Sequence, residues 1–302
     1  MPGKATDEMN ASALLDRIAG SDVYRRVLES LEDGVYLVDS SRCIVYWNDG
    51  AERITGYRRQ DVIGRPWSNL LVYCSDAGFA FRDQDCPLAT TMADGRSRRL
   101  DAFLKHQRGH RVPVSIRSAA VRDAGGDVVG AVEIFHVDSR HYGLLQKFRG
   151  LEPYGCLDPA LGLPNRAMTE ARLRHRLEDL GAFAIPLGIF SIEIGDRAAL
   201  EARGGHSAWE GLLRIAAQTM AETMEPNGFV GRWDQARFIG LLGNSDLISL
   251  HQIGSRVASL VHVSHVSWWG DELEPTVVLR SAMAEPGDTP ESAVARLERP
   301  PC

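Results

Sequence analysis

At Gly34 the hydrophobic period of the chain changes from that of a helix to that of a strand, and this break constrains the fold more than any other feature. Before it, Tyr24, Val27, Leu28 and Leu31 stand at i, i+3, i+4 and i+7, so residues 11–33 predict a helix with Ser21 or Asp22 as its N-cap. After it, Gly34–Asp39 and residues 43–47 alternate with period two about the polar turn Ser40-Ser41-Arg42. Asn48 is placed to cap a short helix carrying Ala51 and Ile54, with Gly56 as its stop. Asp61 is placed to cap another turn, and residues 83–94, with Asp85 near the start, predict a further helix ending at Gly95. Strands over 100–106, 112–121 and 128–137 follow as a meander. Two strands, short helices and three more strands predict an α+β domain: a five-stranded antiparallel sheet with helices on one face.

A second series begins beyond a glycine-broken stretch at 138–157. There Leu144, Phe148 and Leu151 are spaced four and then three apart, the seam of a short two-stranded coiled coil. A helix with Met168, Leu173, Leu177 and Leu180 comes next, then a strand over Leu187–Ile194 and a helix over 207–224. A hairpin (229–233 and 238–242), a helix over 245–261 and a strand over 276–284 complete a second α+β unit. The expected organisation is a helical extension at 1–21, a first domain at 22–138, a signalling-helix linker at 139–156 and a second domain at 157–302. A homodimer is expected through the N-terminal helix and residues 139–152.

Composition narrows the class. The 302 residues are 44% hydrophobic and 25% charged, enough for each half to bury its own core. The net charge of −6 calls for neither nucleic acid nor an anionic membrane as partner. No stretch approaches the roughly 18–20 consecutive apolar residues that span a bilayer. Five cysteines without a CxxC pair fit a reducing cytoplasm better than a disulfide framework. The charge is uneven: residues 151–302 carry 20 acidic side chains, 13 arginines and no lysine. That is a poor composition for gripping a triphosphate.

The runs DGVYLVD, IVYWNDGAERITGYRRQDVIGRPW, CPLATTMADG, GHRVPV and RDAGGDVVGAVEIF resemble a PAS sensory domain of bacterial signalling proteins. The resemblance implies a sheet and short helices enclosing a pocket whose small ligand biases the flanking helices. Tyr36, Trp47, Trp67 and Cys86 are the candidate lining, with plain core packing as the alternative. The cofactor is left unknown. The helix before the meander holds no histidine for a haem iron, and Cys74 sits in VYCSDAG rather than in a photoactive-flavin motif.

The second element order and the run DPALGLPNR resemble a GGDEF domain, the diguanylate cyclase fold. The resemblance implies two GTP-loaded domains facing each other, metal-holding carboxylates, guanine readers and basic phosphate contacts. Laid on those positions, the first carboxylate is Glu193. The signature Gly-Gly-Asp/Glu-Glu becomes Asp234-Gln235-Ala236-Arg237, and Phe238 keeps its place. The guanine-reading pair falls on Glu201 and Ala202, the later Gly-Asp on Trp209 and Glu210, and the phosphate lysine on Ala198. The inhibitory Arg-x-x-Asp falls on Glu225-Pro226-Asn227-Gly228, and the usual C-terminal Ala-Leu-Tyr-x-Ala-Lys helix has no counterpart. Arginine in place of a carboxylate reverses the charge where Mg²⁺ belongs; as a plain hairpin residue it would pair with Asp234. Glu193, Glu201, Glu210, Asp234, Gln235, Ala236 and Arg237 are therefore a vestigial nucleotide site, without catalytic residues or metal. The expected protein is a non-catalytic signal transducer, its sensor controlling a degenerate cyclase-like domain that contacts a downstream protein. The alternatives are a cyclase with an atypical site and a nucleotide-binding receptor.

Overall fold

The computed structural model describes residues 22–75, 77–78, 80–81, 86–138, 148, 150–224, 228–268 and 271–298. They fall into two compact units. The first comprises Met1–Ser75, Phe79–Gln107 and Val112–Asp138, and the second Asp76–Gly78, Arg108–Arg111 and Ser139–Cys302.

In the first unit α1 (Asp22–Glu29) precedes β1 (Gly34–Asp39) and β2 (Ile44–Trp47). Asn48 caps α2 (Asp49–Thr55) by accepting the Ala51 N–H, and Gly56 ends it at φ 78°, the left-handed region that glycine enters without steric cost. α3 (Arg59–Val62), β3 (Tyr73–Cys74), α4 (Pro87–Asp94), β4 (Arg98–Lys105), β5 (Arg111–Arg122) and β6 (Val128–Val137) follow. The sheet order is β2-β1-β6-β5-β4-β3. The α+β expectation holds, with six strands rather than five. Tyr73 and Cys74 pair with Leu104 and Phe103 at the edge, and a two-residue strand is too short to show a period. Asp61 lies inside α3 rather than at its cap, which is Arg58. α4 starts at Pro87, where proline's missing N–H is harmless and its φ already helical; Asp85 lies outside the described residues. So do residues 1–21.

In the second unit the order is α5 (Arg166–Phe183), β7 (Leu187–Ile194), α6 (Arg197–Thr223), β8 (Gly228–Arg232), β9 (Arg237–Gly243) and α7 (Leu247–His262). β10 (Val266–Trp268), β11 (Asp271–Leu273), β12 (Val277–Met283) and α8 (Pro290–Arg296) complete it. Its sheet order is β12-β7-β9-β8, and β10 pairs with β11 in a separate ribbon. β7 is central and buried along its length except at Glu193, which is why it reads as a nearly unbroken apolar run. The helix expected at 207–224 starts earlier, at Arg197, and is broken at Gly205 (φ 73°, ψ 178°), a conformation open to glycine alone. The ribbon and α8 had no sequence counterpart. The ribbon strands are three residues each, and α8 is announced only by its capping box of Thr289 and Ser292.

Trp268 packs half-buried against the second core, and Trp269 and Gly270 lie outside the described residues. Phe148, read as part of a coiled-coil seam, is buried in the second core with its ring centroid 6.0 Å from that of Phe229 in an edge-to-face arrangement, and Leu151 packs against the same core. A large aromatic side chain removes more apolar area from water inside a core than on a narrow seam. Leu144 and the rest of 139–147 lie outside the described residues, as does the Glu225–Asn227 stretch.

Candidate functional site

The run DPALGLPNR works as a clamp on the β8–β9 hairpin. Asn165 caps α5 by accepting the Met168 N–H at 3.0 Å, and its amide donates to the Gly155 carbonyl at 2.9 Å. The next residue, Arg166, lays its guanidinium 3.6 Å from the Trp233 ring centroid and donates to the Trp233 carbonyl at 2.9 Å. Asp158 accepts the Ala160 and Leu161 N–H groups on one oxygen and pairs with Arg232 at 2.6 Å through the other. Arg232 in turn donates to the carbonyls of Asp234 and Gln235. The loop at 234–236 is thus held from both sides.

That loop closes on its own side chains. Among the described non-glycine residues, positive φ occurs at Arg42, Ala184, Asp196 and Asn244, so Asp234 and Gln235 do without the conformation that glycine would permit. Asp234 instead accepts the Ala236 and Arg237 N–H groups on its own carboxylate, an Asx-type turn.

The register brings the candidate carboxylate and the arginine together, because Glu193 on β7 is the partner of Arg237 on β9. The Arg237 guanidinium lies 3.6 Å from Glu193, 3.8 Å from Asp234 and 2.7 Å from Glu298, just beyond α8. Arg280 on β12 adds a second cation 3.1 Å from Glu193. Partial burial works against the Arg237 charge, but the hydrogen bond to Glu298 and the attraction of Glu193 and Asp234 hold its pKa above the usual arginine value. Ala236 offers only a backbone carbonyl, which accepts the Ile194 N–H. With a methyl group and a guanidinium where metal-holding carboxylates would stand, the residues present do not fit Mg²⁺. Among the described residues no three His, Cys, Asp or Glu side chains gather in a way that could hold a metal ion.

Glu201 and Glu210 also converge, on a partner that the sequence reading did not name. His206, directly after the Gly205 break, lies 3.1 Å from Glu201 through Nδ1 and 3.3 Å from Glu210 through Nε2. Arg197 bridges Glu201 and Gln235 at 3.0 Å each. The hydrogen bonds from His206 and Arg197 draw the Glu201 pKa down. The charged candidate residues thus gather into two ion-pair clusters, joined by Arg197. Every acidic group among them already faces a positive or hydrogen-bonding side chain of the same chain.

In the first unit, Tyr36, Trp47, Trp67 and Cys86 all lie in one buried core. Tyr36 packs against Trp47 and Phe135 with ring centroids 5.6 and 6.2 Å apart. The sequence reading missed the centre of this core, Glu133, which is 0% exposed. Its carboxylate accepts the Ser118 hydroxyl at 2.6 Å, the Tyr73 hydroxyl at 3.1 Å and the Tyr36 hydroxyl in a short hydrogen bond. Burial pushes the Glu133 pKa up, against the pull of these three donors. Tyr36 and Tyr73 are raised well above the ordinary tyrosine value, chiefly by burial and then by the Glu133 charge. The signal for Glu133 was in the alternation of β6, which points Ala131, Glu133 and Phe135 to the same buried face.

Residues 23–137 match the family model described as PAS fold, and residues 156–298 the one described as diguanylate cyclase, GGDEF domain. The chain is a PAS–GGDEF signalling protein related to diguanylate cyclases. Over 246 residues it is 23% identical to the probable diguanylate cyclase DgcE of Escherichia coli (strain K12), covering 80% of this chain and 21% of that one. Over 109 residues it is 26% identical to the signal transduction histidine-protein kinase AtoS of the same organism, covering 36% and 17%. The chain thus spans about a fifth of the length of the curated relatives it matches. Similar solved structures include the diguanylate cyclase SiaD with its activator SiaC from Pseudomonas aeruginosa (TM-score 0.46, 23% identity, 53% of this chain and 64% of that one). Another is the PAS domain of a Colwellia psychrerythraea protein (TM-score 0.34, 16% identity, 39% and 98%). No described helix is long and apolar enough to cross a membrane.

Proposed function

We propose that this protein is a non-catalytic signal transducer, in which the PAS domain controls a GGDEF domain that has lost cyclase chemistry and acts through contacts with another protein. The observation that carries the reading is the place of Arg237. A guanidinium stands beside Glu193, bonded to Glu298 and flanked by Asp234, where the cyclase reaction needs a divalent cation between carboxylates. A fixed internal cation can neutralise the carboxylates but cannot bind a triphosphate and a nucleophilic oxygen as coordinated ligands. The losses at Ala198, Glu201 and Ala202 fall on other elements and point the same way. In this reading two copies of the chain act together in the cytoplasm, and the output surface lies on the second domain.

The test is incubation of the purified chain with GTP and Mg²⁺, followed by chromatography for cyclic di-GMP. The expected result is no product above a protein-free blank. Turnover would overturn the reading in favour of a cyclase with an atypical site. Saturable GTP binding without turnover, measured by calorimetry, would replace it with a nucleotide receptor.

A further inference from the structure

The core of the first domain holds a polar assembly that the proposed output function does not use. Tyr36 and Ser118 are both register partners of Glu133, on β1 and β5 to either side of β6, so the three side chains form one row across the middle of the sheet. Tyr73 reaches the same carboxylate from β3, the short strand at the far edge. All four residues are buried. The groups acting on the carboxyl ionisation are the three hydroxyls and burial itself, with no arginine, lysine or histidine among them. The other titratable group of the cluster is Cys86, ahead of α4. The inward residues of α4 are Leu88, Ala89 and Thr91, and its Asp94 pairs with Arg98 at the surface.

A buried carboxylate without a cation is costly, and it is tolerated here because three hydroxyls donate to it. This satisfaction depends on charge state. The ionised group accepts from all three hydroxyls. Once one oxygen carries a proton it becomes a donor itself, and one tyrosine hydroxyl on that side loses its acceptor. The Tyr73 bond is the longest of the three, and Tyr73 stands on the strand with the least pairing of its own.

We propose that Glu133 is a proton-operated latch in the PAS core: ionised, it ties Tyr36, Tyr73 and Ser118 together, and on taking up a proton it releases Tyr73 and with it β3. The ligand of this site is the proton, so no cavity is required. The step transfers one proton from solvent to a Glu133 oxygen, and no other bond is made or broken except the hydrogen bond from Tyr73. β6, which carries Glu133, is also the last strand before the chain leaves the domain at Asp138.

The full chain is the material for the test. Amide hydrogen exchange at Tyr73 and Cys74, corrected for the intrinsic effect of pH, should speed up several-fold as pH falls through one midpoint. Over the same range an infrared carboxylic-acid band should appear. Glu133→Gln should lack both changes. Should that variant fail to fold, Tyr73→Phe and Ser118→Ala decide the matter. Each removes one donor to the charged form, so each should move the infrared midpoint up by roughly one to two pH units. The proposal fails if the exchange change persists in Glu133→Gln, if the midpoint ignores both donor deletions, or if the band titrates while β3 exchange stays constant.

Discussion

Two charged residues carry most of the functional argument, and each makes a measurable claim about stability. Arg237 is only partly exposed and meets three carboxylates, so the network is worth more than a lone surface pair but remains screened by solvent. Glu298→Ala is expected to cost roughly 0.2–1 kcal/mol in urea unfolding. The loss should vanish when Arg237 is already alanine, as a double-mutant cycle would show. Glu133 behaves in the opposite sense to a salt-bridged acid. Burial raises its folded pKa above the unfolded value, so the folded chain keeps this proton to higher pH. Its contribution to stability is fully present below the unfolded pKa and is lost as pH rises through the folded one. Denaturation midpoints of the parent should therefore decline over that window, and those of Glu133→Gln should decline less.

At the scale of elements, the DPALGLPNR run explains how the loop at 234–236 sits on a well-formed hairpin. Its residues cap α5 and hold the loop through Arg166, Asp158 and Arg232. Asn165→Ala should cost about 1 kcal/mol by loss of the cap, read as a lowered unfolding midpoint. A tighter constraint lies in the sheet itself. A Cβ at Gly240 would come within 2.1 Å of the Phe190 ring, so Gly240→Ala should destabilise the second domain by roughly 1–3 kcal/mol. Long periodic elements such as β7 were legible from the sequence to the residue. β3, the β10–β11 ribbon and α8 were not, because two to seven residues hold too little of a period to stand out.

For the whole molecule, the proposed loss of cyclase chemistry is spread over several elements. Glu193 lies on β7, Ala198 and Glu201 on α6, and Ala236 and Arg237 at the hairpin. Rebuilding Gly-Gly-Asp-Glu at 234–237 should therefore yield no cyclic di-GMP from GTP and Mg²⁺, because the phosphate and guanine contacts stay absent. Turnover in that variant would show that the hairpin alone had silenced the domain.

From the sequence alone came the two α+β domains and the resemblance of one to a PAS and of the other to a GGDEF domain. These follow from hydrophobic period, turn residues and motif spacing, all of which are local. The same reading named Tyr36, Trp47, Trp67 and Cys86 without the acid at their centre, and Arg237 without Glu298. Those partners are decided by tertiary structure. Tyr36 and Glu133 are 97 residues apart, and Arg237 and Glu298 are 61 apart. Only strand register and helix packing bring such side chains within a hydrogen bond, and it is burial in the folded chain that raises the Glu133 pKa.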